Sequence, residues 1–176
     1  MQLKSLAGCR LKIGWYPPFD FNAYGGGGKG TLLKSNNDDI QYLSFSSKTF
    51  FIPPLTSRTT KFLSLPLPPY LKIEMSMDKL EGTINKSTGE VELKFESKFI
   101  LSFGTIMKFP YLSVKSLLKT GKVKSRIHAG IGLPLQKNGK IKLVGIATIP
   151  RTGNKILDTF LGLPNEALAE LQCEIK

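Results

Sequence analysis

The sequence predicts a mainly β protein. It calls for an antiparallel curled sheet, closed as a barrel or stacked as a sandwich, one short helix near the C-terminus, and an extended irregular N-terminal arm. Three observations predict it. From Tyr70 onward apolar residues recur at every second position, the period of a strand with one buried face. Turn residues punctuate those runs. Before Tyr70 lie seven of the 11 prolines and a run of four glycines, which interrupt regular elements.

These differences divide the chain into residues 1–69, the arm, and residues 70–176, an antiparallel β domain. The arm opens with "MQLKSLAGCRLKIGWYPP", which holds Lys4, Arg10 and Lys12 and no acid before Asp20. That composition suits a short basic arm or the tail of an organellar transit peptide. "NAYGGGGKGT" resembles a phosphate-binding loop at first sight. The spacing G-x-x-x-x-G-K-[ST] would put its first glycine at Ala23, and Gly30 stands where a hydroxyl is needed. The stretch reads as a flexible connector. "DIQYLSFS" predicts one short strand, with Ile40, Tyr42, Ser44 and Ser46 alternating with Gln41, Leu43 and Phe45. The arm is rich in aromatics, which true linkers lack. It therefore packs on its own domain or lies along a partner, with Trp15, Tyr16, Phe19 and Phe21 as anchors.

In the β domain, Leu71, Ile73, Met75 and Met77 share one strand face. Leu80, Gly82 and Ile84 fall out of phase, so a β-bulge is expected near Asp78-Lys79. "NKSTG" is a turn. Val91, Leu93, Phe95, Phe99, Leu101 and Phe103 then alternate with Glu92, Lys94, Glu96 and Lys98, completing a long hairpin. "YLSVKSLLKTGKVKSRIHAG" supplies one or two strands interrupted at Gly121. Asn138-Gly139 suits a type I′ turn, and Ile141 to Ile149 form a strand whose end is apolar on both faces. "TGNKILDTFLG" is the helix: Thr152 or Asn154 caps it, Ile156, Leu157, Phe160 and Leu161 form its apolar face, and Gly162 ends it. After Pro164, Ala167, Leu168 and Leu171 suit a helix, but alternation of Ala167, Ala169, Leu171, Cys173 and Ile175 with Glu170, Gln172 and Glu174 persists to Ile175 and favours a final strand.

Net charge is +12, and its placement is informative. Between Ser97 and Leu157 stand twelve Lys/Arg and no Asp or Glu. A one-signed field attracts anionic surfaces. Lys115, Lys119, Lys122, Lys124, Arg126, Lys140 and Lys142 are the docking candidates. Catalytic residues are not evident. His128 is the single histidine, set among cations and read as a surface or turn residue. Glu92 and Glu96 alternate with lysines, the pattern of a solvated face with cross-strand ion pairs. Cys9 and Cys173 have no metal-binding spacing and read as reduced thiols. The chain is expected to be no enzyme and to need no metal or cofactor. A nucleic-acid partner is disfavoured, because Phe95, Phe99 and Phe103 point to the core and the lysine-rich face lacks stacking aromatics. Two alternatives stay open. One is an RNA-binding module. The other is a barrel carrying a lipid or pigment, with Met75, Met77, Phe95, Phe99, Phe103, Val123 and Ile141 facing inward.

The stretch "KLVGIATIPRTGNKILDTFLGLPNEALAELQCEI" resembles the C-terminal part of a family of small cyanobacterial and chloroplast proteins of unknown activity. The carrying features are the strand ending in Pro150, the Thr152-Gly153-Asn154 turn and "LDTFLGLPNEALA". The family is similar to a peripheral, non-pigmented subunit of photosystem I in red-lineage algae. The resemblance covers about residues 70–176 and carries no functional residue over. It implies an accessory subunit on the stromal side of a chloroplast thylakoid, or the cyanobacterial equivalent. Its partners would be subunits of a large membrane complex, with anionic lipid in contact.

Overall fold

Apolar residues alternating along many strands leave a sheet with one greasy face and two unpaired edges, and both must be hidden. The computed structural model describes residues 1–34 and 39–176 and hides them by closing the sheet on itself. Its elements are β1 (Gln2–Ser5), β2 (Cys9–Ile13), β3 (Phe19–Phe21), β4 (Gly27–Lys34), β5 (Ile40–Phe45), β6 (Thr60–Phe62), β7 (Leu65–Pro66), β8 (Leu71–Asn85), β9 (Val91–Phe103), β10 (Met107–Lys108), β11 (Leu112–Lys119), β12 (Gly121–Lys124), β13 (Ala129–Gly132), β14 (Lys140–Ile149), α1 (Lys155–Leu161) and β15 (Asn165–Ile175).

Eight of these strands form a ring in the order β1-β4-β5-β8-β9-β11-β14-β15, and β15 returns to β1. Every neighbouring pair in the ring is antiparallel. The ring follows chain order, so it is an up-and-down barrel. Closure rests on Leu3 opposite Ile175, Lys4 opposite Glu174 and Ser5 opposite Cys173. β1 and β2 share one edge of β15: β1 pairs with its C-terminal part and β2 with Ala167 to Glu170. From β2 an annex of β3, β6 and β7 spreads outward. The annex and the isolated bridge Leu55–Ile73 cover the end of the barrel where β8 outruns β5.

The long hairpin forms as expected. β8 pairs with β9 from Leu71–Phe103 to Ile84–Val91, and the register shifts between Met77 and Lys79. The bulge brings Leu80 and Ile84 back to the inner face, where both are buried. Ile40 to Phe45 are the expected short strand, with Leu43 and Phe45 inside. The final strand is also present. Asn154 caps α1 by accepting the Leu157 amide at 3.0 Å, and Gly162 ends it in the left-handed conformation. Its apolar face is narrower than expected. Leu157 and Leu161, one turn apart, are buried, whereas Ile156 and Phe160 point to solvent.

Residues 1–69 do not lie apart from residues 70–176. They supply β1, β4 and β5 to the ring and the whole annex. Prolines break this segment into strands as short as two residues but do not stop it pairing, because they fall mostly between strands. The glycine run is likewise no flexible connector. Gly28 and Gly30 are strand residues of β4 on which the Phe50 and Phe45 rings lie: a Cβ would come within 2.9 Å of Phe50 Cδ2 and 2.6 Å of Phe45 Cε1. Glycine there admits rings onto the sheet. The remainder of "TLLKSNNDD", residues 35–38, lies outside the described residues. The Asn138-Gly139 turn is not type I′. Gly139 has φ 82° and donates to Gln136 O at 2.9 Å, while Asn138 keeps a negative φ. A type I′ turn needs positive φ at both central residues.

β12 and β13 form a separate two-stranded ribbon. It covers the outer face of β14 and β15, where Val144 and Leu168 are buried. That explains why the end of β14 is apolar on both faces.

Candidate functional site

Along β14 and β15 the inward positions carry small side chains. Gly145 pairs with Ala169 and Ala147 with Ala167, while Ser116 of β11 lies opposite Ala147. Large residues face them from the other wall: Met75, Phe95 and Phe99. Two core clusters fill the barrel ends. Leu43, Leu80, Leu93 and Leu143 belong to one; Leu55, Leu112, Ile149 and Leu157 belong to the other. Phe95 packs against both. Between them the small residues leave a cavity of 110 Å³. An empty apolar cavity costs about 24 cal/mol per Å³, so the barrel forgoes about 2–3 kcal/mol by keeping it.

The lining is almost wholly apolar. Its side-chain polar groups are the hydroxyls of Ser5 and Ser116 and the thiol of Cys173. Ser116 Oγ donates to the Ile146 carbonyl at 3.3 Å, so its proton is already used. A charged ligand would lose its hydration without compensation. Burial pushes the Cys173 thiol up to about 12, helped by the neighbouring Cys9. Cys9 is raised too, by burial, against the opposing bond from the Gln172 amide. Both thiols are free and buried.

The charged groups lie outside. Glu92, Lys94 and Lys98 are exposed on the outer face of β9, with Lys98 paired to Asp78 at 3.5 Å and Lys115 paired to Glu96 at 3.4 Å. An apolar lumen with a charged exterior is the inverse of the alternation in a membrane-spanning barrel. No helix is long and apolar enough to cross a membrane among the described residues.

Sequence-level carrier candidates divide. Met75, Phe95 and Phe99 line the cavity. Met77 and Ile141 are buried in the first core cluster. Phe103 is largely exposed at the end of β9, and Val123 packs under the outer ribbon. The anchor candidates divide as well. Trp15 is 84% exposed and Tyr16 is exposed, with its hydroxyl donating to the Phe160 carbonyl. Phe19 stacks on Phe62 at 4.7 Å within the annex, and Phe21 lines the cavity.

The acid-free window acquires acids through strand pairing. Lys119 faces Glu92 and Lys140 faces Glu174 in register. Lys142 pairs with Glu170 at 2.9 Å, both largely covered. Lys122, Lys124 and Arg126 stay exposed on the ribbon and its turn, in no ion pair among the described residues.

His128 is buried, not at the surface, with 6% exposure in the β12–β13 turn. Its Nε2 lies 3.3 Å from the Glu166 carbonyl oxygen. Ser125 Oγ accepts the His128 amide at 3.1 Å and donates to the Glu166 carboxylate. The imidazole thus faces a carbonyl and not the Ser125 hydroxyl, and the trio lacks a nucleophile–base contact. Among the described residues no three His, Cys, Asp or Glu side chains converge as a metal site would require.

No family model, curated protein or solved structure matches this sequence.

Burial of Cys173 has a pH signature. An unfolded thiol loses its proton near 9.0, the folded one near 12. Below pH 9 both states hold the proton and the effect is constant. Above it only the unfolded state ionises, so stability falls as pH rises, by up to about 4 kcal/mol across the interval. Urea titrations of wild type and Cys173→Ala should show this directly: the wild type loses stability more steeply above pH 9. Parallel curves would mean that the Cys173 thiol ionises as freely in the fold as outside it.

Proposed function

We propose that the protein is a non-enzymatic β-barrel that holds a small, uncharged apolar ligand in its lumen. The observation that carries this reading is the cavity of 110 Å³ walled by Gly145, Ala147, Ala167 and Ala169. An apolar cavity of about 150 Å³ takes up a benzene-sized guest. This lumen therefore suits a guest of that order or the tip of an acyl or isoprenoid chain. Occupancy recovers the dispersion contacts that the small residues leave unmade. The serine hydroxyls offer too little to solvate a carboxylate, so the reading is selective for neutral guests.

A thermal-shift series with benzene, hexane and benzoate tests it, beside native mass spectrometry of the purified chain for a co-purifying guest. Benzene or hexane should stabilise by about 2–3 kcal/mol at a hundredfold excess over Kd, and benzoate should not. Ala147→Leu fills the void. It should keep the fold, raise the unfolding free energy by about 1 kcal/mol and abolish the benzene response. No response to either neutral probe, or an equal response to benzoate, would remove the cavity as a binding site.

A second reading is the one the family resemblance implies: an accessory subunit docked on the stromal side of a photosynthetic membrane complex. Its specific support is the unpaired set Lys122, Lys124 and Arg126, a compact cationic face suited to an acidic protein surface. Tagged wild type added to solubilised thylakoids should capture photosystem I, and the Lys122→Glu/Lys124→Glu variant should not. Equal capture by both would exclude the ribbon as the docking face.

A further inference from the structure

We propose that one end of the barrel inserts into the interface of an anionic lipid membrane. Strand register defines that end. Leu71 faces Phe103, Ile149 faces Asn165 and Ile13 faces Ala167, so the start of β8, the β9–β11 connection, α1 and the β2–β3 connection emerge together. The most exposed apolar side chains on these connections are Trp15 (84% exposed), Tyr70 (75%), Ile106 (96%), Ile156 (72%) and Phe160 (60%). Single exposed apolar residues are ordinary; several on one end of one barrel mark a contact site. Two are held by ring packing and not left to swing. Tyr16 braces Phe160 at 6.0 Å between centroids, and Phe103 braces Tyr70 at 6.5 Å.

The charge at this end selects a lipid surface as the occupant. Two of its carboxylates are ion-paired. Asp20 pairs with Arg10 at 2.8 Å and Glu74 with Lys72 at 2.7 Å. Asp158 accepts from Thr152 and Gly153, which holds it below its ordinary pKa, and Glu166 accepts from Ser125; these two keep their negative charge and sit among the cations. Lys108, Arg151 and Lys155 are exposed at the same end. Lys108 acts on Glu74 and Arg151 on Asp158 through space, and Lys155 is in no ion pair among the described residues. Cations ringing aromatic and aliphatic tips fit the headgroup region: the rings sit at the boundary, and the ammonium groups meet lipid phosphate and carboxylate. The inference holds whether or not the lumen carries a guest, since it uses only the rim.

Trp15 is the single tryptophan in the chain, so its fluorescence reports on this end alone. Purified full-length protein is mixed with phosphatidylcholine vesicles, with or without phosphatidylserine. The anionic vesicles should shift Trp15 emission to the blue and expose it to quenching by brominated acyl chains, and added salt should reverse both. Lys108→Ser/Lys155→Ser should weaken binding roughly thirtyfold, at about fivefold per cation. The charge-matched Lys86→Ser/Lys137→Ser, at the opposite end, should change it less than twofold. Ile106→Ser should weaken binding several-fold with unfolding unchanged, since that side chain packs on nothing inside. An absent shift, an equal response to neutral vesicles, or equal loss from the two lysine pairs overturns the proposal. So does a blue shift produced by an RNA oligonucleotide that competes with the vesicles, which would assign the end to nucleic acid.

Discussion

The fold depends on one pairing, that of the first strand with the last. Gln2 and Lys176 exchange backbone hydrogen bonds, and the ladder runs through Leu3–Ile175 and Ser5–Cys173. Without it the C-terminal half of β15 would keep only β14 as a neighbour and β1 only β4, leaving two open edges. With it, eight strands satisfy one another around the ring, and inward side chains meet mostly apolar neighbours. The pairing is maximally non-local, so its loop-closure entropy must be offset by contacts made across the whole chain. The buried Leu3, Ile175 and Cys173, all in one core cluster, provide them on the spot.

Closure also determines what the interior can be. A barrel of eight strands is just wide enough for side chains to fill. Here the filling is uneven. Leucines and phenylalanines pack both ends, while the facing pairs Gly145–Ala169 and Ala147–Ala167 thin the wall at the waist. The cavity is therefore written into four residues on two neighbouring strands. The helix and the annex stop the end through which β8 protrudes, burying Leu157, Leu161 and Leu67. Their outer sides leave the aromatic rim.

Much of this was legible in the sequence, and the reasons for the rest are physical. Long alternation marks β8, β9 and β15, and the phase slip after Met77 marks the bulge. Asn154 and Gly162 announced the limits of α1. Residues 1–69 depart from expectation because proline density suggests irregularity over a whole segment, whereas each proline governs a single position. Cys9, Leu11 and Ile13 alternate with Arg10 and Lys12, and that five-residue signal was sufficient to suggest β2. The cavity was hidden for another reason. Periodicity identifies inward positions but not whether their volumes fill the space; Gly145, Ala147, Ala167 and Ala169 as a small-residue stripe were the available clue. The basic window looked one-signed because acids from β9 and β15 reach it only through register, which no local pattern encodes.

Hydrogen exchange of backbone amides tests the closure most directly. If the leader seals the barrel, the amides of Gln2, Leu6 and Lys176, bonded across the β1–β15 seam, exchange as slowly as those in the centre of the β8–β9 hairpin. If those three amides exchange at the rate of a frayed terminus while the hairpin stays protected, residues 1–69 are an arm after all and the barrel stands open.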